Sequence, residues 1–194
     1  MIINPYTYAV AAGADTILFR VGCGDVGQTA IDGEIDWEGD TTGSPSAYTN
    51  ANGTNGETNS GNNTYGTGGT YTDATGYEPP AYTDIRELWK AERYDSSASV
   101  ELNYVFPVTN GNYTVNLGIC ELFHTTSGNR SMSVDINGVN KLNDIDLIGR
   151  YGARYAKGWE SFPITVTTSE VRIDIIHGTY DNPKIACIEI IQNG

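Results

Sequence analysis

The sequence is poor in basic side chains. It has 11 Lys and Arg residues against 24 Asp and Glu residues, which gives a formal net charge of -13 over 194 residues. A chain this acidic repels the phosphates of nucleic acids and of anionic lipid headgroups. We therefore expect neither nucleic acid nor a membrane as a partner.

Cysteine, histidine and long apolar runs are also scarce. The three cysteines form no CxxC pair and no even set, so they predict buried core residues and not a metal site or a disulfide framework. With two histidines and no GxSxG segment, the sequence offers no arranged base and nucleophile. No run approaches the roughly 18 apolar residues of a membrane span, and residues 1–6 lack the basic start of a secretory signal.

Glycine, tyrosine and closely spaced strand patterns are what the sequence does have, with 23 Gly and 13 Tyr. From residue 99 onward, short apolar and alternating runs follow one another closely, and Asn-Gly pairs at 110–111 and 137–138 predict hairpins. Residues 83–94 favour a helix, with Thr83 or Asp84 as its N-cap. The predicted fold class is all-β, an antiparallel β-sandwich of jelly-roll type with one short helix.

A long polar segment interrupts this pattern. Residues 41–76 contain no Val, Ile, Leu, Met, Phe, Lys or Arg, and consist largely of Gly, Asn and Thr with several Tyr. A disordered linker is one interpretation, because the segment cannot build its own core. Its tyrosines favour a loop packed on the domain. We predict a sandwich domain over residues 17–194 with this loop insertion, and an N-terminal extension, residues 1–16, that docks the protein to neighbours.

Seven segments together resemble the malectin family of carbohydrate-binding domains, in order and rough spacing, over about residues 17–192. They are RVGCGD (20–25), DWEGD (36–40), LWKAERY (88–94), NGNYTVNLGICELF (110–123), GNRSMSVDINGV (128–139), LNDIDL (142–147) and YDNPKIACIEI (180–190). The resemblance implies a β-sandwich that binds glucose-containing oligosaccharides without catalysis, through loop aromatics and an aspartate.

The resemblance carries the family's binding positions over to five residues: Tyr94 of the ERY motif, Phe123 and His124 after the family's FaE motif, Asp181 of the YDNP turn, and Tyr71 upstream. Tyr65 and Tyr77 are rivals of Tyr71 because the long loop blurs that part of the alignment. The sequence also departs from the family. His124 stands where the family has a second aromatic ring, and residues 22–25 read GCGD where it has an Asn-containing start.

Each of these residues also has a purely structural interpretation. Asp181 suits an Asx turn that satisfies its own backbone, Phe123 suits the edge of a sandwich, His124 suits a solvated loop, and Tyr94 suits the core. Arg93 and Glu121 are expected to form an ion pair between the helix and a strand. The three tryptophans, Trp37, Trp89 and Trp159, are expected in the core.

Two other classes of function stay open. A glycosidase needs two facing carboxylates, and the candidate sets are Asp32, Glu34 and Asp36, or Asp144 and Asp146. A structural or decoration subunit of a phage virion or tail fibre is the other alternative, and an adhesin would combine it with glycan binding. We expect a glycan ligand, an extracellular or particle-surface location and no cofactor; a structural calcium ion would leave no signature in the sequence.

Overall fold

Strands arranged in three sheets make up most of the fold. The structure, a computed structural model, describes residues 13–51, 69–98 and 100–194 and the backbone of residues 60–64. The strands are β1 (Thr16–Cys23), β2 (Gly27–Gln28), β3 (Trp37–Asp40), β4 (Ser60–Thr64), β5 (Thr72–Asp73), β6 (Ala91–Asp95), β7 (Leu102–Pro107), β8 (Gly111–Cys120), β9 (Met132–Ile136), β10 (Val139–Ile145), β11 (Ala156–Val166), β12 (Glu170–His177), β13 (Lys184–Ile185) and β14 (Cys187–Gln192).

The strand order confirms the predicted β-sandwich. One sheet has seven strands in the order β2-β3-β1-β14-β8-β11-β5, a second has four in the order β10-β9-β12-β7, and a third has three in the order β13-β6-β4. The alternation in β12 explains its place: Val171, Ile173 and Ile175 are fully buried, and Arg172 between them is exposed. Most pairings are antiparallel; β1 with β3 and β5 with β11 are parallel.

The core contains a main cluster between the large sheets and a second cluster rich in tryptophan. Buried apolar side chains from both large sheets, including Leu117, Ile188 and Ile173, form the main cluster. The second cluster holds Trp37, Leu88, Trp89, Cys120, Leu122, Trp159 and Cys187. All three tryptophans and all three cysteines are buried, as expected, and the cysteines are free thiols.

The helix predicted over residues 83–94 is wrong in extent. A 3-10 turn covers Ala81–Thr83, helix α1 covers Arg86–Lys90, and the chain then continues as β6. The strand forms because β13 and β4 hydrogen-bond to its two edges, which overrides the local helix preference. A second short helix, α2 (Leu147–Tyr151), was not predicted; the Asp146 side chain caps it by accepting from the backbone N–H groups of Ile148 and Gly149.

Of the two predicted hairpins, one is confirmed. Asn137 and Gly138 have φ angles of 50° and 72° and connect β9 to its partner β10. Residues 110–111 do not close a hairpin, because β7 pairs with β12 while β8 pairs with β11 and β14 in the other sheet. Neither of these two residues adopts the positive φ angle of an Asn-Gly hairpin turn. The chain instead crosses from one large sheet to the other at this point.

The described parts of the segment 41–76 pack on the domain. Tyr48 lies against Phe19 and Phe106 with ring centroids 5.1 and 4.8 Å apart, and its carbonyl accepts from the N–H of Val105. Strand β4 pairs with β6, and β5 pairs with β11. Residues 1–12, 52–59, 65–68 and 99 lie outside the described residues; they include Tyr65 and most of the predicted docking extension, residues 1–16. Neither α-helix in the described part of the chain is long and apolar enough to cross a bilayer.

Replacing Gly118 with alanine should destabilise the fold. A Cβ atom at this position of β8 would lie 2.3 Å from the Cys187 sulfur and 3.1 Å from the Trp89 ring. Gly111 in the same strand has its nearest such neighbour, the Tyr113 ring, at 3.7 Å. We expect Gly118→Ala to lower the free energy of unfolding by about 1–3 kcal/mol in urea titrations. Gly111→Ala, the matched control, should change it by less than about 0.5 kcal/mol; equal effects would contradict the packing described.

Candidate functional site

The segment that follows β8 presents an aromatic ring to solvent. The Glu121 carboxylate accepts hydrogen bonds from the backbone N–H groups of Phe123 (2.8 Å) and His124 (2.9 Å). This buried anchor fixes the turn, and the Phe123 side chain beyond it is 59% exposed. The Phe123 and His124 rings meet edge to face with centroids 5.0 Å apart. Phe123 therefore does not close the edge of the sandwich.

Asp181 lies on the turn between β12 and β13 and contacts His124. Its Oδ2 atom is 2.6 Å from His124 Nε2 and 2.8 Å from Arg130 Nη2, while its Oδ1 atom accepts the N–H of Asn182 at 2.8 Å. The residue has a φ angle of 51°, which is uncommon outside glycine and occurs often at functional sites. One carboxylate oxygen of Asp181 therefore accepts from the backbone of its own turn, and the other contacts the side chains of His124 and Arg130.

Beneath these residues, oppositely charged side chains form a buried network. Lys184 Nζ contacts Glu92 (2.5 Å) and Glu121 (3.4 Å), and Arg130 Nε contacts Glu121 (2.6 Å). The Arg130 Nη1 atom donates to the carbonyl of Asn182. These four charged residues are almost completely buried. The network links the ends of β6, β8 and β13 to the turn that carries Asp181.

This network was not predicted, and the partner expected for Glu121 is wrong. Glu121 pairs with Arg130 and Lys184, whereas Arg93 faces Asp40, with Nε and Oδ2 3.6 Å apart. The expected pair failed because residues 91–95 form a strand, in which Glu92 and Arg93 point to opposite faces. Arg130 and Lys184 both lie within the segments that resemble malectin, but their pairing depends on the folded chain.

The network controls the protonation of its carboxyl groups. Burial raises the pKa of Glu121, but the positive charges of Lys184 and Arg130 and the hydrogen bonds that it accepts outweigh this effect and lower the pKa to about 2. Burial also tends to raise the pKa of Asp181. Hydrogen bonds from Asn182 and His124, together with the positive charge of Arg130, outweigh burial and hold this pKa below its ordinary value. Both groups are therefore carboxylates at neutral pH.

Tyr94 lies on a strand beside this cluster. On one edge of β6, Tyr94 pairs with Lys184 of β13, which follows Asp181 by three residues. On the other edge it pairs with Gly61 of β4. The backbone N–H of Asp95 donates to the carbonyl of Pro183 at 3.1 Å, which fastens β6 to the same turn. Tyr94 is half-buried, so its ring is neither a sealed core residue nor a fully open platform.

Tyr71 contacts the site region through a second tyrosine. Its ring packs against Tyr155 with centroids 5.2 Å apart, and the N–H of Tyr155 donates to the carbonyl of Glu121 at 2.9 Å. The Tyr71 hydroxyl is buried and has no hydrogen-bond partner among the described residues, and burial raises its pKa to about 12. Its rival Tyr77 packs on Tyr151 instead.

Three of the five carboxylates considered for hydrolysis have structural roles. Asp32 forms an ion pair with the buried Arg20 at 2.6 Å, Asp36 accepts the N–H of Ala30, and Asp146 caps α2. Hydrogen bonding to Arg20 lowers the pKa of Asp32 to about 2 despite partial burial. These three groups hold neighbouring parts of the chain in place.

Asp95, Glu101 and His177 form a group that could hold a divalent cation. One ligand atom from each lies within 4.8 Å of the others. However, the Asp95 carboxylate already accepts the N–H groups of Ser97 and Leu102, and Glu101 contacts His177 Nδ1 at 2.8 Å. Each of the three side chains therefore has a partner within the protein.

Comparison with known proteins identifies the family. A family model described as the malectin domain matches residues 18–188. The chain belongs to the malectin domain family. This is a family of carbohydrate-binding modules, and its homologues are non-catalytic carbohydrate-binding proteins.

The malectin relatives are distant and longer than this chain. Malectin-B of Xenopus laevis is 24% identical over 54% of this chain and 42% of that protein. Malectin of Mus musculus is 26% identical over 54% of this chain and 39% of that protein. The match thus spans less than half the length of these curated relatives.

Solved structures similar to this one confirm the malectin-like fold. The plant receptor-like kinase FER has a TM-score of 0.77 and 16% identity, with 92% of this chain and 50% of that chain covered. The ANX2 ectodomain from Arabidopsis thaliana has a TM-score of 0.73 and 18% identity, over 92% of this chain and 50% of that chain. At such identities the likeness shows the fold alone.

Acid should weaken the protein through Glu121. Its folded-state pKa of about 2 lies below the ordinary 4.5, so its contribution to stability is complete above pH 4.5 and is lost as the pH falls toward 2. We expect Glu121→Gln to lower the free energy of unfolding at pH 7 by about 3–5 kcal/mol. The same variant should show a smaller further loss between pH 4.5 and 2 than the wild type.

Urea titrations at several pH values measure both effects. Glu34→Gln, at an exposed position, is the control and should follow the wild type throughout. A Glu121→Gln variant with wild-type stability at pH 7 and the same loss in acid would show that the network does not stabilise the fold.

Proposed function

We propose that this malectin domain binds an oligosaccharide or polysaccharide through Phe123, His124, Asp181 and Tyr94, with Tyr71 at the margin of the site. The observation that carries the proposal is the direct contact between Asp181 and His124 beside the exposed Phe123 ring. These residues come from different loops, and the family resemblance pointed to each of them separately.

The chemistry of this cluster suits a sugar. A pyranose has a face of C–H groups and a rim of hydroxyls, so it needs an apolar ring beneath it and fixed acceptors at its edge. Phe123 supplies the ring. The Asp181 carboxylate, whose side chain is 32% exposed, supplies an ionised acceptor, which makes stronger hydrogen bonds to hydroxyl donors than a neutral group does.

Rigidity supports the same conclusion. Both Asp181 and the Phe123–His124 segment are held by the buried network, so little conformational entropy is lost when a ligand binds. The His124 ring has a different role from the aromatic ring that it replaces, because its Nε2 atom contacts Asp181. We infer that His124 orients the carboxylate more than it stacks on the sugar.

We propose that the domain is not an enzyme. Two of the candidate carboxylates for a glycosidase pair, Asp32 and Asp146, are engaged in an ion pair and a helix cap, and the malectin homologues are non-catalytic. A glycan ligand fits an extracellular or particle-surface location, which stays a prediction, as does a role as an adhesin. Nothing in the comparisons supports the virion or tail-fibre alternative.

Phe123→Ala should abolish or strongly weaken glycan binding without unfolding the protein. The side chain is exposed, so its loss leaves the core unchanged, while the site loses its apolar contact surface. On a glycan array, the wild type should retain at least one glycan. Titration of that glycan should then give an affinity about tenfold lower or worse for the variant, equivalent to about 1.4 kcal/mol.

The control is Val139→Ala, which removes an apolar side chain of similar exposure, 56%, at the hairpin end of β10. It should bind like the wild type. An array on which the wild type retains no glycan, or on which Phe123→Ala binds as well as the wild type, would contradict the proposed site.

A further inference from the structure

The buried carboxylates of this protein have cationic partners, with one exception among the described residues. The paired ones form ion pairs with an Arg or Lys side chain: Asp40 with Arg93, Glu92 with Lys184, Glu121 with Arg130, Glu160 with Arg150 and Glu189 with Arg20. Asp95 is completely buried, yet it forms no ion pair with any of the 11 Lys and Arg residues, all of which the structure describes. Charges in a protein interior are normally paired or bound to a metal ion. Asp95 therefore requires a positive partner that no Lys or Arg provides.

Glu101 and His177 complete a set of three metal-binding groups around this carboxylate. One ligand atom from each of the three residues lies within 4.8 Å of the others, and Glu101 Oε2 is 2.8 Å from His177 Nδ1. Each Asp95 oxygen accepts one backbone N–H, from Ser97 or Leu102, whereas a carboxylate offers about four acceptor positions. Both Asp95 oxygens therefore keep a lone pair for an ion.

Ordered strands place these three groups together. Asp95 ends β6, His177 ends β12, and Glu101 immediately precedes β7, whose first residue, Leu102, pairs with Ile175 of β12. The side chains of His177 and Glu101 are 15% and 26% exposed. An ion can therefore reach the buried Asp95 from solvent, and the two partly exposed side chains can rotate to close around it.

The chemistry of the group favours a divalent transition metal. Two carboxylates and a neutral imidazole carry two negative charges, which one divalent ion cancels. Ca²⁺ and Mg²⁺ prefer oxygen ligands alone, whereas Zn²⁺ binds histidine nitrogen and carboxylate oxygen at about 2.0–2.2 Å. Zinc also binds to three protein groups with a water molecule in the fourth position. Of these ions, zinc fits the group best.

We propose that Asp95, Glu101 and the Nδ1 atom of His177 form a zinc site, with a water molecule as the fourth ligand. The ion neutralises the buried Asp95 carboxylate and fastens the ends of β6 and β12 to the start of β7, so its role is structural. None of the three residues belongs to the proposed sugar site. The inference therefore does not depend on glycan binding.

The test compares zinc binding by the wild type and by two ligand variants after treatment with a chelator. Titration calorimetry of the wild type with zinc chloride should show one ion per chain, with a Kd of about 1 μM or lower. Zinc at about 100 times this Kd should raise the midpoint of thermal unfolding by about 5–10 °C. Glu101→Gln and His177→Ala should each weaken zinc binding by about tenfold or more, because each removes one of three ligands.

The matched control is His124→Ala, which removes the other histidine of the chain, also in contact with a carboxylate. It should bind zinc like the wild type. Calcium chloride should bind the wild type at least about tenfold more weakly than zinc chloride does.

The outcomes decide the site without reference to glycan affinity. A wild type that binds no zinc, or that binds calcium more tightly, would overturn the proposal. Zinc binding that Glu101→Gln and His177→Ala leave unchanged, or that His124→Ala abolishes, would place the ion elsewhere and overturn it too. Circular dichroism shows whether each variant is folded. If His177→Ala does not fold, Glu101→Gln decides, because its side chain is partly exposed.

Discussion

The buried carboxylate of Glu121 is the contact on which the loop end of this domain depends. It accepts two backbone N–H groups of its own turn and lies between the cations of Arg130 and Lys184. A carboxylate out of water is very costly unless it is paired and hydrogen-bonded. Once it is paired, the same bonds connect the end of β8, the start of β13 and Arg130, which lies two residues before β9. The buried charge of Glu121 thus fixes the conformation of the loops around it through hydrogen bonds and ion pairs, which apolar packing alone would not do.

From this contact, order extends outward to the surface. Arg130 contacts both Glu121 and Asp181, and Asp181 in turn contacts His124. The buried ion pair therefore fixes the conformation of the exposed turn. The sandwich supplies the rest of the rigidity, because its two large sheets enclose a continuous apolar core. Phe123 and Asp181 are exposed, yet the segments that carry them are hydrogen-bonded to buried charged groups.

Strand patterns and the family resemblance were sufficient to predict the fold class, because alternation such as that of Val171, Ile173 and Ile175 depends on local sequence. Pairing depends on the whole chain. Residues 91–95 favour a helix in isolation and form a strand because β13 and β4 border them, and residues 110–111 look like a hairpin turn but join two sheets. The contact of His124 with Asp181 and the roles of Arg130, Lys184 and Tyr155 could not be predicted, since residues far apart in sequence form them.

The affinity of the array-selected glycan for the Arg130→Gln variant tests this account most directly. Arg130 is buried and its guanidinium contacts Glu121, Asp181 and the carbonyl of Asn182. It therefore influences a bound sugar through the groups that it positions, Asp181 directly and the Phe123–His124 segment through Glu121. With the variant confirmed as folded by circular dichroism, we predict a loss of affinity of about tenfold or more. A folded variant that binds the glycan as tightly as the wild type would contradict the claim that the buried network builds the site.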